Sequence, residues 1–418
     1  MVGGLVGAAV VGVAVAGVVA AGRAASAARV AALADTLMQA VRDGDEDTVA
    51  AILGGGRVDV RAPIGGQPVV LVAVHAGSAG VVRALLRAGA PVDARGEGDT
   101  TPLMAACALG RADVAGALLA AGADAAAQDS DGWTAAHICG RLGQLACMRA
   151  LAGGGPDAAA CLHVARTTDA ATPLMLAAGE GHTAVVDLLL SAGAAPNAAM
   201  KSGVTAAIAA AKSDHAVVLA ALLRGGAAVN AVTSDGRTPL AVAVQHGARR
   251  AVDVLLAAGA FPGPSSAALA AGTDGSGSGS GSSSGARRAG GTPTGTDVLP
   301  MVLAVRRGAA DLVRSLAGAG AGANIVLPDG RSLLLAAVDG YPAGKPPRPD
   351  VITALLEAGA DPQHLSQEVG GDGRRESLVT RRTPHAAARA SGDPAIIAAF
   401  TVEGGGGGGG RGVAGGEP

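Results

Sequence analysis

The sequence predicts an all-α fold of short, stacked helix pairs, about ten in number. Three observations point there. The first is a period. Asp35, Pro68, Thr101, Thr134, Thr172, Thr205, Thr238, Leu299, Ser332 and Thr383 occupy equivalent positions, and six of the nine steps between them are 33 residues. The second is a local signature, clearest between Thr101 and Asp124. Thr101 is a side-chain N-cap, and Pro102 sits where its missing N–H costs nothing. Leu103 and Ala106, then Val114, Leu118 and Leu119, recur at helical spacing, and Gly110 and Gly122 end the two helices. The third is composition. Hydrophobic residues make up 49% of the chain but aromatic residues only 1%, so the core must be Ala, Val and Leu. Helices this short are unstable alone, so each pair must stack on another copy.

The chain then reads in order. Residues 2–22 carry no charge, and as a helix of about 30 Å they are long enough to cross a bilayer. Their Gly, Ala and Val composition, with one Leu, argues instead for an apolar leader or half-repeat, and both readings stay open. The repeats are expected over 34–262 as copies one to seven. Copy one, from Asp35, is acidic, with Asp43, Asp45, Glu46 and Asp47 in its turn and second helix, as a polar end cap requires. An irregular five-residue insertion falls between Gly155 and Thr172. Residues 263–297 form a Gly/Ser-rich linker expected to separate the array into two pieces. Copies eight to ten follow over 298–403, with a proline-rich loop from Tyr341 to Pro349 and an Arg-rich insertion before Thr383. Residues 404–418 are a Gly-rich tail expected to be disordered.

A 33-residue unit of two helices and a turn with a Thr-Pro-Leu start resembles the ankyrin repeat. Two segments carry the match best. One is Thr172-Pro173-Leu174 with Val185, Leu189, Leu190 and Gly193-Ala194. The other is Asp235 to Leu240 with Val252, Leu255, Leu256 and Gly259-Ala260. The histidine usual in Thr-Pro-Leu-His is present only as His137, and the resemblance implies that it supports the network between repeats. The resemblance implies an ankyrin-repeat solenoid and a non-enzymatic scaffold that binds a partner protein on its concave face. Two alternatives stay open: a membrane-tethered adaptor, and the regulatory region of a larger enzyme. A cytoplasmic location is expected. If residues 2–22 do span a membrane, Arg23, Arg29 and Arg42 set the repeats facing the cytosol.

Chemistry-bearing patterns are sparse. A net charge of −2 with scattered Arg excludes a nucleic-acid reader. Four cysteines in so long a chain are no disulfide framework. His137, Cys139, Cys147, Cys161 and His163 hold ligand atom types, but no Cys-x-x-Cys or His-x-x-x-His spacing joins them, so no metal site is expected. No nucleophile has a base and an orienting group in a recognisable pattern, and the glycine runs lack the Lys and Ser/Thr of a phosphate loop. Neither catalysis nor a cofactor is expected.

The resemblance implies that partners are gripped by the turn tips and the exposed ends of the first helices. The tips carry Trp133, the only Trp, and Arg237. The helix ends carry Arg141, Leu142, Lys212, His246, Arg306 and Arg307. These cations are expected to favour an acidic segment of an unidentified protein, with Trp133 as the apolar anchor.

Overall fold

The protein is represented by a computed structural model that describes residues 28–263, 299–342, 345–363, 366–367 and 381–401. The leader 2–22, the Gly/Ser stretch from 264 onward and the tail 404–418 lie outside the described residues. The chain divides into two compact units, Met1–Met200 and Lys201–Pro418.

In the first unit α1 spans 28–43 and α2 Glu46–Gly54, followed by the pairs α3 Val69–Ala76 and α4 Ala79–Arg87, and α5 Pro102–Ala108 and α6 Ala112–Ala120. Next come α7 Ala135–Leu142 and α8 Leu145–Gly153, the short α9 Pro156–Ala160, then α10 Pro173–Glu180 and α11 Thr183–Ser191. First helices stack on first helices, α3 on α5, α5 on α7 and α7 on α10, and second helices on second, α4 on α6 and α6 on α8. The second unit repeats the plan. Its pairs are α12 Ala206–Lys212 with α13 Ala216–Arg224, α14 Pro239–His246 with α15 Arg249–Ala257, and α16 Pro300–Arg307 with α17 Ala310–Gly318. After them come α18 Leu333–Val338 with α19 Pro349–Glu357, and α20 Pro384–Ser391 with α21 Pro394–Thr401.

The indexed residues do what their chemistry dictates. The hydroxyls of Thr101, Thr134, Thr172, Thr205, Thr238, Ser332 and Thr383 each accept a hydrogen bond from the backbone N–H three residues on. Asp35 differs. It lies inside α1, and the Thr36 hydroxyl donates back to the Ala32 carbonyl at 2.8 Å, as a mid-helix threonine does. Nothing between Ala31 and Asp35 stops a helix, so the true cap of this region is Asp45, which accepts from the Thr48 N–H. The Thr48 hydroxyl, and after it the Thr48 N–H, hold the Asp45 pKa below its ordinary value.

The five-residue insertion is also more regular than expected. Pro156 opens α9 and a 3-10 turn, Cys161–His163, follows it. Among the described residues, extended pairing is confined to two isolated bridges and a two-residue antiparallel ladder, Ser366–Gln367 with Arg381–Arg382, at the two ends of the last insertion. On either side of 263–297, α14 packs directly on α16, and Arg249 pairs with Asp311 at 2.5 Å. Closing even a long loop costs little once apolar helix faces meet.

Among the described residues the buried apolar set holds no aromatic side chain; Leu85, Leu103, Leu118, Leu174, Leu189 and Leu222 are among its largest members. No described helix is long and apolar enough to cross a membrane.

Candidate functional site

Trp133 stands at the end of a turn fixed by Asp129, whose Oδ1 accepts from the N–H groups of Asp131 at 3.0 Å and Trp133 at 2.8 Å. The indole is half-buried. The Arg166 guanidinium lies 4.4 Å from its ring centroid, Arg141 lies 5.3 Å away, and His137 meets it edge-on at 6.3 Å. Arg166 comes from the insertion and is itself held by Asp169 through two bonds of 2.9 and 3.1 Å. The Trp is therefore engaged within its own unit, with Leu142 (49% exposed) beside Arg141 at the end of α7.

Behind the Trp sits the buried His137. Its Nδ1 accepts from the Thr134 N–H at 3.2 Å, which leaves Nε2–H to donate to the Ala171 carbonyl at 3.0 Å. This ties one repeat to the next. Burial lowers the His137 pKa to about 4, against the opposing pull of the Ala171 bond. Close packing of the same two repeats rests on Gly140 of α7: a Cβ there falls 2.7 Å from the Pro173 carbonyl oxygen of α10.

The remaining sequence-predicted cations gather in the second unit. Lys212, His246, Arg306 and Arg307 are exposed at the ends of α12, α14 and α16, and Arg237 is half-buried at the tip before α14. His246 is held below its ordinary pKa first by partial burial, then by the positive fields of Lys212, Arg307 and Arg237. The four groups thus share one neighbourhood. Arg307 donates to the Gln245 carbonyl at 2.9 Å, Arg237 pairs with Asp235 at 2.9 Å, and Arg306 lies over the Tyr341 ring at 5.9 Å.

Two groupings lay outside the expected set. In the first unit an open groove of about 1100 Å³ is bordered by Arg42, Leu71, His75, Arg95, Glu97 and Leu109. Its helix-end residues carry the repeat's spacing, but Leu71 and Arg95 do not stand at tip or helix-end positions. The second grouping is sulfur. Cys107, Cys139 and Cys147, from α5, α7 and α8, are all buried, with their three Sγ atoms within 4.8 Å of one another. Hydrogen bonds among them push the Cys139 thiol up and draw the Cys147 thiol down. Cys161 lies outside that set, and burial pushes its thiol up to about 12. Cys107 is one repeat away from Cys139 in sequence, so linear spacing hid it; the stacking period is the signal that finds it. All four cysteines are unpaired.

A search of curated protein sequences found no match. Among solved structures, the ankyrin repeat domain of Bcl-3, a member of the IkappaB family, matches with 28% identity and a TM-score of 0.47, over 52% of this chain and 96% of that one. The human ASB11 ankyrin repeat domain matches with 25% identity and a TM-score of 0.46, over 53% of this chain and 96% of that one. The family model for ankyrin repeats matches three times, at residues 37–129, 115–200 and 174–265. Together these spans take in more than half of the chain, and it belongs to the ankyrin-repeat family.

Proposed function

We propose that this protein is a non-enzymatic scaffold of about ten repeats whose concave face receives an acidic segment of a partner protein. Ankyrin repeats generally mediate protein–protein interaction, and the reading here rests on one observation. Lys212, His246, Arg306 and Arg307 are exposed at corresponding helix ends of the second unit, and His246 feels the fields of Lys212 and Arg307. The fixed cations among them, Lys212, Arg306 and Arg307, attract a carboxylate-rich chain at long range. Trp133, Arg141 and Leu142 offer a second contact in the first unit. The four unpaired cysteines fit a reducing compartment such as the cytoplasm.

The test is a hydrogen-exchange footprint of the full chain with a Glu-rich peptide as probe. The amides at the C-terminal ends of α12, α14 and α16 should gain protection. Protection confined to the convex second helices α13, α15 and α17 would contradict the proposal.

A further inference from the structure

We propose that Cys107, Cys139 and Cys147 form a binding site for a trivalent thiophilic metalloid, As(III). Three sulfurs converge from α5, α7 and α8, and all three are buried. No other Cys, His, Asp or Glu among the described residues joins them. The nearby histidine of α7, His137, is committed elsewhere, to Thr134 and Ala171. The site therefore offers three soft donors and no fourth.

Geometry agrees. Three sulfurs bonded at about 2.3 Å to a pyramidal centre, whose lone pair closes the S–As–S angles to about 95°, stand about 3.4 Å apart. The present separations, all within 4.8 Å, close to that value with movements of about 1 Å or less, within the reach of side-chain torsions. Structural zinc takes four ligands, and here the fourth must be a water in a buried, sulfur-lined spot. A trivalent pnictogen needs no fourth ligand, because its lone pair fills that direction.

Charge decides among the soft candidates. The buried polar residues of the described chain are Thr101, Thr134, His137, Thr205, Thr233 and Ser332, so no buried Lys or Arg neutralises an anionic complex. Three thiolates around Cu(I) leave two negative charges, and around Zn(II) one; either is costly in an apolar interior. Around As(III) the complex is neutral. The exchange balances without redox chemistry: As(OH)3 and three thiols give As(S-Cys)3 and three waters. Three S–H and three As–O bonds break, three As–S and three O–H bonds form, and arsenic stays trivalent. Entry takes local opening of short helices, which native proteins allow well below global unfolding.

The experiment uses the full chain, reduced with a phosphine and treated with equimolar sodium arsenite near pH 7. Native mass spectrometry should show one arsenic gained and three protons lost per chain, and arsenic-edge X-ray absorption a shell of three sulfurs and no oxygen. Cys107→Ala, Cys139→Ala and Cys147→Ala should each weaken binding at least tenfold with helicity retained, whereas Cys161→Ala should not. No adduct, an arsenic shell with oxygen in it, or displacement of arsenic by equimolar Zn(II) would overturn the assignment. If the alanine variants lose their helicity, the wild-type absorption spectrum decides alone.

Discussion

The surroundings of Trp133 in the first unit and the cation cluster of the second unit use similar residues to opposite ends. Around Trp133 the cations are spent internally. Arg166 is clamped by Asp169 and lies on the indole, and the indole meets the buried His137, whose Nε2–H reaches the next repeat. Around His246 the ends of Lys212, Arg306 and Arg307 are exposed, and the fields of Lys212, Arg307 and Arg237 add to partial burial in holding the His246 pKa down. An aromatic at a turn tip is thus used to fasten an insertion, whereas the helix-end charges of the second unit remain exposed. The general lesson is that an exposed-looking tip residue in a repeat protein is judged by what its neighbouring insertion brings to it.

That contrast makes the first region sensitive to acid and packing, and the second to salt. The largest expected effect is at His137. Its folded pKa, about 4, lies below the ordinary 6.5. Above pH 6.5 both folded and unfolded states are neutral and the packing is fully stable. As pH falls from 6.5 to 4 the unfolded state takes up the proton first, and up to about 3 kcal/mol is lost. Urea melts of the wild type across this window should show the loss, and His137→Gln should flatten it while costing stability near pH 7.

Next is Gly140→Ala, where the new Cβ meets backbone rather than a movable side chain. It should cost about 2 kcal/mol despite the better helix propensity of Ala. Gly116→Ala in α6, with open space around its Cβ, should instead gain up to about 1 kcal/mol. Equal signs in thermal melts of the two variants would break the packing argument. Smaller again is the split between Trp133→Ala and the triple change Lys212→Ala, Arg306→Ala, Arg307→Ala. The first should cost about 1–2 kcal/mol through lost ring contacts. The second should stay under about 1 kcal/mol, because its members are exposed.

The period made the helix pairs, their caps and the aromatic-free core legible, because Thr, Pro and Gly act locally. Asp35 misled because a capping residue type was read without checking for a helix stop before it; the Ala-rich stretch upstream simply continues the helix. The site was legible only in part. Lys212, His246, Arg306 and Arg307 follow from register alone. The Arg166 contact to Trp133 and the meeting of Cys107 with Cys139 depend on where an insertion folds and how repeats abut. Neither is encoded at short range.

The most direct test of the account is the affinity of the full chain for a fluorescent Glu-rich peptide, measured by anisotropy across a salt series. The wild type should weaken steeply with salt. The triple change Lys212→Ala, Arg306→Ala, Arg307→Ala should lose at least tenfold in affinity at low salt and most of the salt slope, whereas Trp133→Ala, its ring already engaged by Arg166 and Arg141, should change affinity less than threefold. A triple variant that keeps its helicity and binds with wild-type affinity and slope would contradict the account and place the partner surface elsewhere.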